Sequence, residues 1–420
     1  MTSPKYAHHF SIKNLPYGVA SSEYRPQQCA TRLENTVIFL GSLQQSGFFD
    51  DIPSLPNGIF SKSTLNDYAA LPKPVHIAVR SKLQETLSSG LDALPKAARE
   101  DISTATLHLP VSISGFTDFS NSLAHVQNAG RAILNDPSPP PGFFHFPIGY
   151  TGRASTVVVS GTPITRPKGH FYDRSNPVPE TVVYGPSRAL DYEMELGVVV
   201  GRSHSQDAGR GIRAKDAEEY VFGFVVLNDW SARDIQGLEM VPLGPLNGKS
   251  FGSMISPWIV TTEALAPFRT AAPEPRAQLA EHLVDVEKGN FDIVMSVEII
   301  HSSSGASGSD EETVSRIATG PGRELFWSHR QMIAHLTSCG ADLRTGDLLG
   351  TGTVSGFGEG EEGCLLESTK GGKEMVKLAD GSERAFLLDG DVVRMTAVLG
   401  NEDSGVGFGE CVGEVLPARS

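Results

Sequence analysis

Apolar runs of four to eight residues, separated by Gly, Pro and Asp, recur from residue 155 onward: 156–160, 196–200, 221–227, 258–262, 293–300, 348–352 and 392–399. Runs this short, bounded by turn formers, predict buried strands. One of them lies in LDYEMELGVVVG, where Glu193 and Glu195 stand two apart. At strand period both carboxylates point to the same face. Helical periodicity is rarer. Residues 74–89 carry Ile77, Val79, Leu83 and Leu87 as a partial stripe with Gly90 as a stop, and 326–337 predicts a second helix. Short strands are expected around 36–43, a Pro-rich loop at NDPSPPPG (135–142), and a solvated loop at 301–317, which is rich in Ser, Gly and acid. Residues 1 to about 110 look like a separate module, so the chain is divided into an N-terminal domain, 1–113, and a larger domain, 114–420.

Composition adds bounds. The 44 glycines and 27 prolines among 420 residues mean many turns, hence a β-rich α+β chain with more sheet than helix. Net charge is -14, with no basic cluster to offset it, which disfavours nucleic acid and anionic membranes as partners. No apolar run reaches the roughly 18 residues of a membrane span, and the N-terminus lacks a secretory pattern, so a cytoplasmic protein is expected. The four cysteines show no CxxC spacing, which excludes a Cys-based zinc site of the usual spacing and a disulfide framework. A metal here would be held by oxygen, which selects magnesium or calcium.

The chemistry concentrates around NDWSARDIQ (228–236), followed closely by PLGPLNGKSFG. Glu193 and Glu195 on one face of a half-buried strand repel each other, and a divalent cation is the simplest compensation. Asp118 and Asp229 extend the set to four carboxylates. His125 follows Asp118 by seven residues, two helical turns if the segment is helical, so acid and imidazole could share a side. Phosphate-binding patterns are absent: no GxGxxG follows a strand, and NGKSF lacks the first glycine of a P-loop.

Ten segments, NLPYGV, TLHLPVSISGFTDF, GYTGRASTVVVSGTPI, LDYEMELGVVVG, NDWSARDIQ, VPLGPLNGKSFG, SPW, LRTGDLLGTGTVSG, FLLDGD and VGFG, resemble the fumarylacetoacetase family in the same order over nearly the whole length. The resemblance implies a small SH3-like N-terminal barrel plus a C-terminal mixed β-roll, and a homodimer with active sites near the subunit interface. It also implies hydrolysis of a C–C bond in a β-diketone during tyrosine breakdown. Carried over by position, it makes Asp118, Glu193, Glu195 and Asp229 ligands of Mg2+ or Ca2+, with Lys249 and Ser253 flanking a second cation site. His125 becomes the general base oriented by Glu367. Arg233, Gln236 and Lys249 become donors to developing negative charge, and Tyr150 and Thr353 contact substrate.

Four positions depart from the family. Ser120 and Met240 stand where it usually has Tyr, Thr151 where it has His, and Leu134 where it has a substrate-binding Arg, with Arg131 three residues away. Each replacement donates one hydrogen bond or none. The expected substrate is therefore fumarylacetoacetate or a less acidic β-dicarbonyl relative. The alternatives are other enolate chemistry on the same scaffold, namely decarboxylation, isomerisation or C–C bond-forming cyclisation in specialised metabolism, and a non-catalytic dimeric protein.

Overall fold

The computed structural model describes residues 4–173, 175–176, 178, 180–304 and 310–420. The N-terminal part is a five-stranded antiparallel sheet of β1 (Tyr17–Ser22), β2 (Arg25–Leu33), β3 (Thr36–Phe39), β4 (Arg99–Asp101) and β5 (Thr106–His108). Its strand order is β4-β3-β2-β1-β5. The strand expected to reach residue 43 ends at Phe39. Leu40–Gln45 turns helical because Leu40 and Leu43, three apart, are then buried together. Helix α1, Lys73–Ser88, matches the expected span, but its buried face is Val75, Val79, Leu83 and Leu87. Ile77, expected in the stripe, lies half-exposed on the other side.

The second part is built on an eight-stranded sheet. Its principal strands are β6 (Phe116–Phe119), β7 (Gly149–Thr151), β8 (Val157–Val159), β9 (Met194–Val200), β10 (Val221–Asn228), β11 (Ser253–Ile255) and β12 (Leu348–Gly350), in the order β7-β6-β12-β9-β10-β11-β8. Strands β9 and β10 are buried along their whole length. Their residues divide between two cores: Val199, Phe222 and Val225 pack with Tyr68, Val79 and Leu83 of the N-terminal part, while Leu196, Val198 and Val226 pack with Met295, Met395 and Phe408. A strand buried on both faces needs no polar alternation, hence the continuous apolar runs.

Behind it, the five-stranded sheet of Asp310–Pro321, Ile293–Ser304, Val392–Leu399, Gly407–Leu416 and Ile164–Thr165 closes the second core. The solvated loop expected at 301–317 is instead mostly ladder, paired from Ile300↔Val314 to Ser304↔Asp310; residues 305–309 lie outside the described residues. Its polar composition suits an edge strand, whose backbone bonds to one neighbour while its outer face meets water. The second predicted helix begins at His329 rather than 326, because Ser328 and Gln331 form a capping box there. Among the described residues no helix is long and apolar enough to cross a membrane.

Candidate active site

Asp118 and His125 do not share a helix. Asp118 lies on β6, and His125 lies in the first turn of helix α2 (Leu123–Leu134) after a loop through Ser122. The sheet does the gathering. Asp118 pairs with Gly350 in parallel register, Gly350 neighbours Gly197, and Glu195 stands two residues up β9. Asp229 follows β10, its N–H donating to Glu193 O at 3.2 Å. Oxygens of Asp118, Glu193, Glu195 and Asp229, all buried, lie within 4.8 Å of one another. Gly350 makes room for them, since a Cβ there would stand 2.4 Å from Asp118 Oδ1 and 3.0 Å from Glu195 Oε2. Burial, with the neighbouring acids, pushes the carboxyls of Asp118 and Glu195 well above the usual range. Asp118 Oδ1 and Glu195 Oε1 have no protein partner. Buried, unpartnered carboxylate oxygens facing one another are a donor set for a hard divalent cation, so the residues fit that group.

The other two acids are already compensated. Lys249 Nζ donates to Glu193 Oε2 and, at 2.8 Å, to Asp229 Oδ2. Arg233 Nη1 donates to Glu193 Oε1 at 2.7 Å. Burial alone would raise the Glu193 carboxyl, but Lys249 and Arg233 outweigh it and hold it low. Burial likewise opposes the charge on Lys249, and Asp229 and Glu193 reverse that, raising it. Ser253 Oγ donates to Asp229 Oδ1 at 2.7 Å and Tyr150 OH to Asp229 Oδ2 at 2.8 Å. Ser253, expected beside a second cation, therefore spends its hydroxyl proton on Asp229, and Tyr150, expected on substrate, does the same.

His125 Nδ1 and Glu367 Oε1 are 2.7 Å apart. Glu367 also accepts from Asn128 Nδ2 (2.9 Å), Ser355 Oγ (2.8 Å) and Cys364 Sγ (3.2 Å). Burial works to raise its carboxyl, yet His125, Asn128 and Ser355 keep it below the ordinary range. An ionised Glu367 takes the Nδ1–H tautomer and leaves Nε2 of His125 as the basic atom.

The fumarylacetoacetate (FAA) hydrolase C-terminal profile matches residues 114–416, and the fumarylacetoacetase N-terminal profile matches 13–110. The chain belongs to the fumarylacetoacetate hydrolase family. It is 41% identical to the fumarylacetoacetase of Aspergillus fumigatus, covering 97% of this chain and 96% of that one. It is 38% identical to those of Arabidopsis thaliana (98% and 96% covered) and Rattus norvegicus (98% and 97%). The solved fumarylacetoacetate hydrolase of Exiguobacterium antarcticum shares the fold, with a TM-score of 0.52 at 15% identity over 96% of this chain and 100% of that one.

The positions expected to contact substrate scatter more than the four acids do. Tyr150 and Thr151 line a cavity of about 400 Å3 together with Lys249. Ser120, two residues after Asp118, is half-buried, and Thr353 Oγ1 is buried without a partner. Met240 is 46% exposed on a loop, and Leu134 is 75% exposed. Leu134 lies nine residues beyond His125 on α2, roughly 13 Å along its axis. Neighbouring Arg131 donates to Asn128 Oδ1 at 2.7 Å, so it extends the network behind Glu367.

Sequence reading missed three supporting residues. Asp191 accepts from Arg233 Nε (2.9 Å) and from the N–H groups of Leu365 and Leu366 (2.8 and 2.9 Å), tying Arg233 to the short helix that carries Glu367. Its place two residues before Glu193 continues the same alternation, a usable signal. Asn128, three residues after His125 on one helical face, was also findable. Ser355 sits in a loop, where no periodicity marks it.

Proposed function

We propose that this chain hydrolyses a C–C bond of a β-diketone, fumarylacetoacetate or a less acidic relative, with Mg2+ or Ca2+ held by Asp118, Glu193, Glu195 and Asp229. One observation carries the reading: the four acids of the family motif converge within 4.8 Å, two of them with unpartnered oxygens. Near-full-length identity of 38–41% to fumarylacetoacetases from fungi, plants and animals supports the same reaction. When bound, the cation would polarise the ketone oxygens as a Lewis acid.

The chain's own residues divide the remaining work. His125 Nε2 takes a proton from water, with Glu367 holding Nδ1–H, and the hydroxide adds to a carbonyl carbon. Lys249 Nζ, Arg233 Nη2 and Gln236 Nε2 supply donors for the charge that develops on oxygen; of these, Arg233 Nη2 is buried with no protein partner. The bond from that carbon to the methylene breaks, leaving a carboxylic acid and an enolate, and the imidazolium returns its proton to the enolate carbon. Water and diketone are thereby converted to an acid and a ketone. The loss at Thr151, which lines the cavity, supports the less acidic substrate.

Incubating the purified protein with fumarylacetoacetate and Mg2+ or Ca2+, and following loss of diketone absorbance with release of fumarate and acetoacetate, tests this. Consumption without those two acids would favour decarboxylation, isomerisation or cyclisation. No consumption of any β-diketone by metal-loaded protein would overturn the reading.

The same reading takes 1–113 as an SH3-like domain, 114–420 as the catalytic β-roll, and the enzyme as a cytoplasmic homodimer of aromatic amino-acid catabolism. Val241 and Leu243, 83% and 95% exposed on an apolar loop, support a covering partner. Sedimentation at micromolar concentration should give twice the chain mass.

A further inference from the structure

The cavity of about 400 Å3 that reaches Lys249 and Tyr150 is also lined by Arg153, which is exposed. Three local features place that side chain. Thr151, at the end of β7, pairs with Thr117. Gly152 then donates its N–H to Phe116 O at 2.9 Å and presses against the Phe116 ring, where a Cβ would come within 2.4 Å. Arg153 O accepts from Thr156 N and Oγ1 at 3.3 and 3.1 Å, which fixes its backbone. The guanidinium itself is left over: it is exposed and makes no hydrogen bond or ion pair among the described residues. This differs from Arg233 and Lys249, whose charges are spent on Glu193, Asp191 and Asp229.

We propose that Arg153 is a specificity-determining residue that receives a terminal carboxylate of the substrate at the mouth of this cavity. The inference rests on the β-diketone hydrolase reading and names what that reading leaves open. A guanidinium presents paired N–H donors to a carboxylate, whereas the ammonium of Lys249 is committed to the acids beneath it. Thr151, beside Arg153, offers one hydroxyl. With a single unspent guanidinium in the lining, the favoured substrate carries one carboxylate at this end of the diketone, and a neutral group there is discriminated against.

The test uses metal-loaded full-length protein and a pair of β-diketones of equal length, one ending in a carboxylate and the other in its methyl ester. Arg153→Gln should raise KM for the acid by about 10- to 100-fold with kcat little changed, leave the ester unaffected, and recover partly in Arg153→Lys. Equal losses on acid and ester, or no change on either, would overturn the proposal, as would a change in sedimentation without a change in acid selectivity. Calorimetric binding of fumarate and of acetoacetate gives a readout independent of turnover. At least one should bind the unmodified protein and bind Arg153→Gln about tenfold or more weakly, and failure of both to bind or to weaken also overturns it. If carboxylates bind through Arg153 but no diketone is cleaved, the hydrolase reading fails and the subsite stands.

Discussion

At Glu195 the two oxygens have different fates: Oε2 takes the Gly352 N–H at 3.1 Å, and Oε1 faces the other acids with no partner. Its charge is therefore unfavourable without a cation and essential with one. Glu195→Gln is expected to weaken Mg2+ binding by about 100-fold or more in calorimetry, while the metal-free variant melts no lower than the unmodified protein. An unchanged affinity would remove Glu195 from the ligand set. His125 differs, since under the proposed mechanism it serves as proton acceptor and gives no charge to the cation. His125→Ala should reduce turnover by roughly 10^2- to 10^4-fold with metal affinity unaltered, measured on the same preparation by diketone absorbance and calorimetry.

The helix that carries His125 is held at its first turn. Ser122 Oγ accepts the His125 N–H at 3.2 Å and donates to Ser355 O at 3.0 Å, so one hydroxyl caps α2 and ties it to the loop that also bonds Glu367. Ser122→Ala should cost about 1 kcal/mol in chemical denaturation, the usual size of a lost cap. Because His125 belongs to the freed turn, kcat should fall more than KM changes. A variant that loses stability and keeps its kcat would show that the cap serves the fold alone.

Across the whole molecule, charge is buried where sheet, helix and loop meet. Glu218 accepts from His329 Nε2 at 2.9 Å and faces Arg269 and Arg330, with Arg330 also paired to Asp285. Burial would raise the Glu218 carboxyl, but His329 and the two arginines hold it far below its ordinary value. In the unfolded chain it titrates near 4.3, so this contribution to stability is present above that pH and is lost as pH falls below it toward the folded-state value. Glu218→Gln should lose about 2 kcal/mol at pH 7, at the lower end for a buried pair because a fifth of the side chain is exposed. Its stability should also depend less on pH below about 4.5, read from urea midpoints across that range.

The order of local patterns was enough to determine much of this protein. The fully apolar stretches became β9 and β10 because each is buried on two faces, and the two-residue spacing of Glu193 and Glu195 placed both acids at one site. The motif order pointed to the family before any coordinates. Periodicity could not decide what depends on contacts between distant segments. It favoured a loop at 301–317, since a hairpin at a sheet edge can satisfy its backbone without apolar side chains. It allowed one helix to carry both Asp118 and His125, where a parallel pairing with Gly350, more than two hundred residues away, fixes the acid and a separate cap fixes the base. The resemblance put Leu134 at a substrate position with Arg131 three residues away, where the fold leaves Leu134 exposed and bonds Arg131 to Asn128. Residue type and spacing limit which chemistry is possible, but the free or spent state of each donor is set by its three-dimensional neighbours, and only the tertiary structure supplies those.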